Sequence, residues 1–167
     1  MSFVRSAVCG LGAGAAGTVA MDLLWYVRYK RGGGATPFLE WEFASAPTTW
    51  EDAGAPAKIF KLLYETATHN ELPASQIQAA SNLMHWAYGS QWGAVLGIAV
   101  GSPSSLRRLQ GPLFGALVWL SSYVSVPIAG FYKPIWSYDL KTLWDDLSAH
   151  LVYGAATAAA FWTTRKS

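Results

Sequence analysis

Residues 72–106 read LPASQIQAASNLMHWAYGSQWGAVLGIAVGSPSSL, with no Asp, Glu, Lys or Arg between Glu71 and Arg107. A helix crosses a hydrocarbon layer with about 20 apolar residues, and this stretch is longer. Inside it Gly89, Gly93, Gly97 and Gly101 recur at every fourth position. That period sets all four on one helical stripe, where a second backbone can approach closely. In lipid, apolar side chains gain little by leaving apolar tails, so close packing contributes much of what joins helices. The stripe is read as an intramolecular helix contact in preference to a dimer seam.

The same absence of charge recurs between Arg5 and Asp22, between Arg108 and Lys133, and between Asp146 and Arg165. Only 13% of the residues are charged, where soluble chains carry about a quarter. The pattern predicts an all-α, polytopic membrane protein with the lipid bilayer as its solvent. We expect a single transmembrane domain with four transmembrane helices, over about residues 3–29, 74–101, 109–130 and 139–164. Rings at the ends of the apolar stretches (Trp25, Tyr26, Trp136, Tyr138, Trp144, Trp162) suit the headgroup level. The run from Arg5 continues into Asp22-Leu-Leu-Trp-Tyr-Val without a pause, which reads as a retained helix rather than a cleaved leader.

Gly32-Gly33-Gly34 should end helix one. The polar connection, 30–73, holds an aromatic segment, Phe38 to Phe43, and a short amphipathic surface helix opening near Pro56. There Ile59, Phe60 and Leu63 share a face, suited to the membrane surface or to the end of the bundle. Pro127 should bend or end helix three, and Ser137 or Asp139 can cap helix four.

Several functions are excluded or lack support. A net charge of +2, with no basic run interleaved with aromatic rings, argues against nucleic acid. The single Cys9 excludes an internal disulfide and a cysteine metal motif. There is no Gly-x-Ser-x-Gly elbow and no His-Glu-x-x-His helix, so catalysis is not evident.

Alternating the helix directions brings Asp22, Asn82, His85, Asp146 and His150 to one level, roughly 5–12 Å below one interface. Asp146 and His150 are four apart and can hydrogen-bond on one helix face; Ser81 and His85 have the same relation. Ionisable groups in hydrocarbon pair or face a cavity. The layer therefore reads either as bonds that fix helix register or as a proton, ion or polar-ligand site. Haem or a metal at His85 and His150 is a further alternative; no cofactor is expected outright. Basic residues near the helix ends are nearly balanced, and the Arg107–Arg108 loop and the basic tail favour cytoplasmic N- and C-termini.

The runs Asn82-Leu-Met-His-Trp-Ala-Tyr-Gly, Ile98-Ala-Val-Gly and Gln110-Gly-Pro-Leu-Phe-Gly-Ala-Leu come in an order that resembles the YagU-like family of bacterial inner-membrane proteins. The spacing of Pro127, Gly130 and Pro134, then Asp146-x-x-x-His150, is similar too, so the resemblance covers about residues 80–155. The first half matches less well: some members carry a basic residue in place of Asp22 and a Glu in place of Asp146. The resemblance implies a small multi-pass protein of the bacterial inner membrane, with no established reaction or ligand. The expected function is an accessory or packing subunit, or an envelope stress component, without catalysis. A proton, ion or small-solute transporter, acting as a homo-oligomer or within a larger membrane complex, is the alternative, and a haem or metal subunit the second.

Overall fold

The computed structural model describes residues 2–43, 47–99, 107–128 and 130–164, and every regular element among them is helical. In chain order these are α1 (Phe3–Arg31), α2 (Phe38–Glu42), α3 (Ala55–Thr68), α4 (Ile77–Ala99), α5 (Arg107–Ile128) and α6 (Leu140–Thr164). Short 3-10 turns at Ala74–Gln76 and Ile135–Ser137 lead into α4 and toward α6. Gly101 and the turn after it lie outside the described residues.

Helix ends follow from local chemistry. The glycine trio stops α1: Gly33 has φ +91°, Gly34 N–H bonds Tyr29 C=O at 3.0 Å, and Gly33 N–H bonds Lys30 C=O at 3.1 Å. The same device stops α5 just past Pro127, with Gly130 at φ +79° and Phe131 N–H bonded to Val126 C=O at 3.1 Å. Between the two candidate caps of α6, Asp139 takes the role. Its carboxylate accepts from Thr142 N–H at 2.9 Å and from Thr142 Oγ1 at 2.7 Å, and these bonds hold its pKa below the usual value.

Small residues set the helix spacing. Gly93 and Gly97 of α4 lie against Gly10, Gly14 and the Ser6 carbonyl of α1, while Gly89 abuts Thr18. A methyl on Gly10 would fall 2.8 Å from Ala94 Cα, so no larger residue fits with these backbones in place. Gly17 turns to the other side of α1 and meets Tyr153 and Thr157 of α6. Gly154 of α6 in turn meets Gly111 and Gly115 of α5. The fourth seam, between α4 and α5, is filled by rings: Trp92 and Phe114 stand edge to face at 6.2 Å. Met21, Val118, Ala149 and Tyr153 close the core between the helices.

Small residues line the helix seams, while many large aliphatic side chains stay on the outside. Val4, Val8, Leu11, Val19, Leu23 and Val27 stay exposed along α1, and Leu113, Leu117, Leu120 and Val124 along α5. Both sets recur at helical spacing on one face. Two helices, Phe3–Arg31 and Gln110–Ile128 within α5, are long and apolar enough to cross a membrane. α4 and α6 are less apolar because Gln78, Asn82 and His85, or Lys141, Asp145 and Asp146, occupy their first halves.

The connection between α1 and α4 is more structured than a loop. α3 packs on α4 through Ala57, with Phe60 and Tyr64 against Ala53, Leu72, Ile77 and Ala80. Of the residues expected to share a face, Phe60 packs on this cluster and Leu63 is exposed. Small Ala57 allows the close approach, and Phe60 and Tyr64 share its side of the helix.

Candidate functional site

One end of the bundle is polar and hollow. There α1 finishes while α4 and α6 begin, so the second half of α1 faces the first halves of the other two. Asp22, one turn beyond Thr18, is 6% exposed. Its Oδ1 lies 2.9 Å from His85 Nε2, and with the carboxylate ionised that nitrogen carries the shared hydrogen. Its Oδ2 is buried and has no hydrogen-bond partner. A buried carboxyl oxygen without a donor is costly, so it is a place where a cation or a hydrogen-bond-donating ligand would be favoured.

The short helix α2 roofs this spot. Glu42 is its last residue, so the Glu42 carbonyl lacks a helical partner. Gln78 Nε2 donates to it at 3.0 Å and Asn82 Nδ2 at 3.1 Å, while Gln78 also donates to Asn82 Oδ1 at 3.2 Å. The result is a recess of about 330 Å³ lined by Asp22, Trp41, Glu42, Gln78, Asn82 and His85. Burial, then the nearby Asp22 charge, raise the pKa of the Glu42 carboxyl, opposed by a bond from Trp86.

Asp146 and His150 are placed elsewhere at the same end. His150 Nδ1 donates to the Asp146 carbonyl at 2.9 Å, since a carbonyl oxygen can only accept, and lies 3.3 Å from the carboxylate. The Asp146 carboxylate also meets the Tyr123 hydroxyl. It lines a second recess, of about 390 Å³, with Trp25, Tyr123, Tyr132, Tyr138 and Asp145. Burial, then the Asp146 charge, push the Tyr132 hydroxyl up to about 12, so that ring stays neutral at ordinary pH. A wider hollow of about 670 Å³ lies between the two and shares Trp41 with the first and Trp25 with the second. Arg28 ties the rim together: it donates to the Asp145 carbonyl at 2.8 Å and Ser148 Oγ at 2.7 Å, and stacks 4.7 Å from Trp25.

The expected polar layer is thus divided into two groups. Asp22, Asn82 and His85 meet in one recess, while Asp146 and His150 meet each other on α6. His85 turns to Asp22, not to Ser81, which only lines the same recess. Each imidazole bonds its own carboxylate residue through one nitrogen, His85 to Asp22 through Nε2 and His150 to Asp146 through Nδ1. Among the described residues no three His, Cys, Asp or Glu side chains converge as a metal ion requires. Gly89, Gly93 and Gly97 serve the α1 contact at the other end.

Sequence reasoning missed Glu42, Gln78, Trp86 and the tyrosine group. Gln78 was visible, being four residues before Asn82 and so on the same helix face. Glu42 had no such signal, because nothing local says that α2 folds back onto α4. No family model, curated protein or solved structure matches this chain.

Proposed function

We propose that the chain is a four-pass protein of the bacterial inner membrane, non-catalytic, carrying a proton- or cation-binding recess on the side opposite its termini. The inverted packing supports the bilayer: aliphatic residues point outward along α1 and α5, and glycines and other small residues fill the seams. In water, faces of that size are rare on a monomer. α4 and α6 complete the four spans as the polar members, with their ionisable groups turned to partners within the bundle.

The observation that carries the site is the buried, unpartnered Asp22 Oδ2 facing a recess beside His85. Glycine contacts fill the other end of the bundle, so the recess is a blind site suited to an accessory subunit more than to a pore. Resemblance to the YagU-like family agrees with this reading and adds no reaction to it.

Infrared difference spectroscopy on reconstituted membranes tests the site. The carboxyl band identified as Asp22 by its loss in Asp22→Asn should change when a monovalent or divalent cation is added to the parent, and change differently in His85→Ala. A spectrum unaffected by Asp22→Asn would remove the site. The spans are tested by impermeant maleimide on single cysteines in a Cys9→Ser background. Thr49→Cys and Ser137→Cys should label from outside the cell and Ser2→Cys should not.

A further inference from the structure

We propose that the second recess binds an organic ammonium ion, an alkylated or quaternary nitrogen, between the rings of Trp25, Tyr123, Tyr132 and Tyr138 and the carboxylate of Asp146. The inference stands apart from the Asp22–His85 reading and shares no residue with it. The three tyrosines form a corner rather than a stack. Tyr123 and Tyr138 stand at 87° with centroids 5.5 Å apart, Tyr132 and Tyr138 at 63° and 6.4 Å, and Tyr123 and Tyr132 at 49° and 5.9 Å. Rings set at steep angles can turn their negative faces toward one point, and a cation within about 6 Å of each centroid is attracted to all of them.

Charge selects the guest. Asp145 and Asp146 line the recess, which repels anions. The Asp145 carboxylate is already taken by Lys141 Nζ at 2.6 Å, so Asp146 supplies the negative charge. The cations at the rim are occupied: Lys141 on Asp145, and Arg28 on the α6 backbone, on Ser148 and over Trp25. His150 spends its Nδ1 hydrogen mainly on the Asp146 carbonyl, and the Asp146 carboxylate, which accepts from the Tyr123 hydroxyl, keeps further lone pairs for a guest. A hard metal ion would want several charged or carbonyl oxygens, and beside Asp146 and the Lys141-bound Asp145 the lining offers only neutral tyrosine and Thr142 hydroxyls. A weakly hydrated ammonium matches both the rings and the lone carboxylate. At about 390 Å³ the recess holds such a group with a short chain attached.

The ammonium can come from a lipid headgroup or from a free solute, and the test separates them. The full chain is placed in nanodiscs made only of phosphatidylglycerol, which carries no ammonium, and titrated calorimetrically with tetramethylammonium. Saturable binding at one site is expected. Asp146→Asn and Tyr132→Ala should each weaken it by about tenfold, and Tyr132→Phe, which keeps the ring, should hold it within about twofold. If Tyr132→Ala does not fold, the contrast between Tyr132→Phe and Asp146→Asn carries the result. Repeating the titration in discs containing phosphatidylethanolamine or phosphatidylcholine identifies the source. Weakened binding there supports a headgroup as the natural guest, and unchanged binding supports a free cation. No saturable binding in phosphatidylglycerol discs, or binding indifferent to both Asp146→Asn and Tyr132→Ala, overturns the proposal.

Discussion

The two ends of this bundle are built from opposite materials. At one end Gly10, Gly14, Gly93 and Gly97 bring α1 and α4 into backbone contact, and Gly111, Gly115 and Gly154 do the same for α5 and α6. At the other, Asp22, His85, Trp25 and the tyrosines hold the same helices around hollows. The difference teaches how a thin helical bundle can house polar groups. Dispersion contacts between bare backbones hold one end together, and this frees the other from having to pack tightly. The tight end should be intolerant of volume, and the hollow end intolerant of broken pairs.

The largest effect expected is at Gly93. A valine there would meet the Gly10 carbonyl and the Gly14 backbone, which cannot yield as a flexible side chain would. Gly93→Val should destabilise the fold by about 3 kcal/mol or more, read from unfolding in mixed detergent micelles. Gly12 shares the same helix but would place a methyl in open space. Gly12→Ala should leave stability unchanged or raise it by up to about 1 kcal/mol through helix propensity. Equal losses at both positions would erase the distinction between a packed stripe and a merely glycine-rich helix.

At the hollow end the expected change is smaller, because water reaches part of the site. His85→Ala strands the buried Asp22 carboxylate, which then has neither oxygen bonded, and should cost about 1–2 kcal/mol. His85 is partly exposed, which keeps the figure below that of a fully enclosed pair. Adding Asp22→Asn to that variant should recover part of the loss, since the stranded charge is gone. A double-mutant cycle with no coupling between the two positions would mean that the 2.9 Å contact carries no energy.

Legibility followed the same division. The α4 stripe was readable because a four-residue period is a local signal, and Gly89, Gly93 and Gly97 do lie on one seam. Gly111 and Gly115 have that spacing too and pack on Gly154, but a single repeat is a weaker period than four glycines in register. The common level of Asp22, His85, Asp146 and His150 came from counting residues along antiparallel helices, and all four lie at one end. Their division into pairs depends on the rotation of α1, which points Asp22 toward α4 and Trp25 toward the second recess. No sequence period encodes that rotation between helices. The fold-back of α2 is unreadable for a similar reason: it rests on two amides, Gln78 and Asn82, meeting one carbonyl some forty residues away in the chain.

The roof over the first recess should respond to pH, the smallest effect and the one that separates the two ends most cleanly. Burial and the Asp22 charge raise the Glu42 carboxyl above its ordinary value, so its proton is held more firmly with α2 docked than with α2 released. Docking is therefore favoured fully below the ordinary carboxylate range and weakens as pH rises through the raised value. Glu42→Gln keeps the carbonyl that Gln78 and Asn82 bond, and removes the charge. Hydrogen exchange at residues 38–43, corrected for the intrinsic rate, should quicken with pH in the parent and stay flat in the variant. Residues 89–97, held by glycine contacts with no titrating group among them, should show no such dependence in either protein. If the parent and Glu42→Gln share one pH slope at α2, then Glu42 does not control the roof, and its burial there is only a matter of packing.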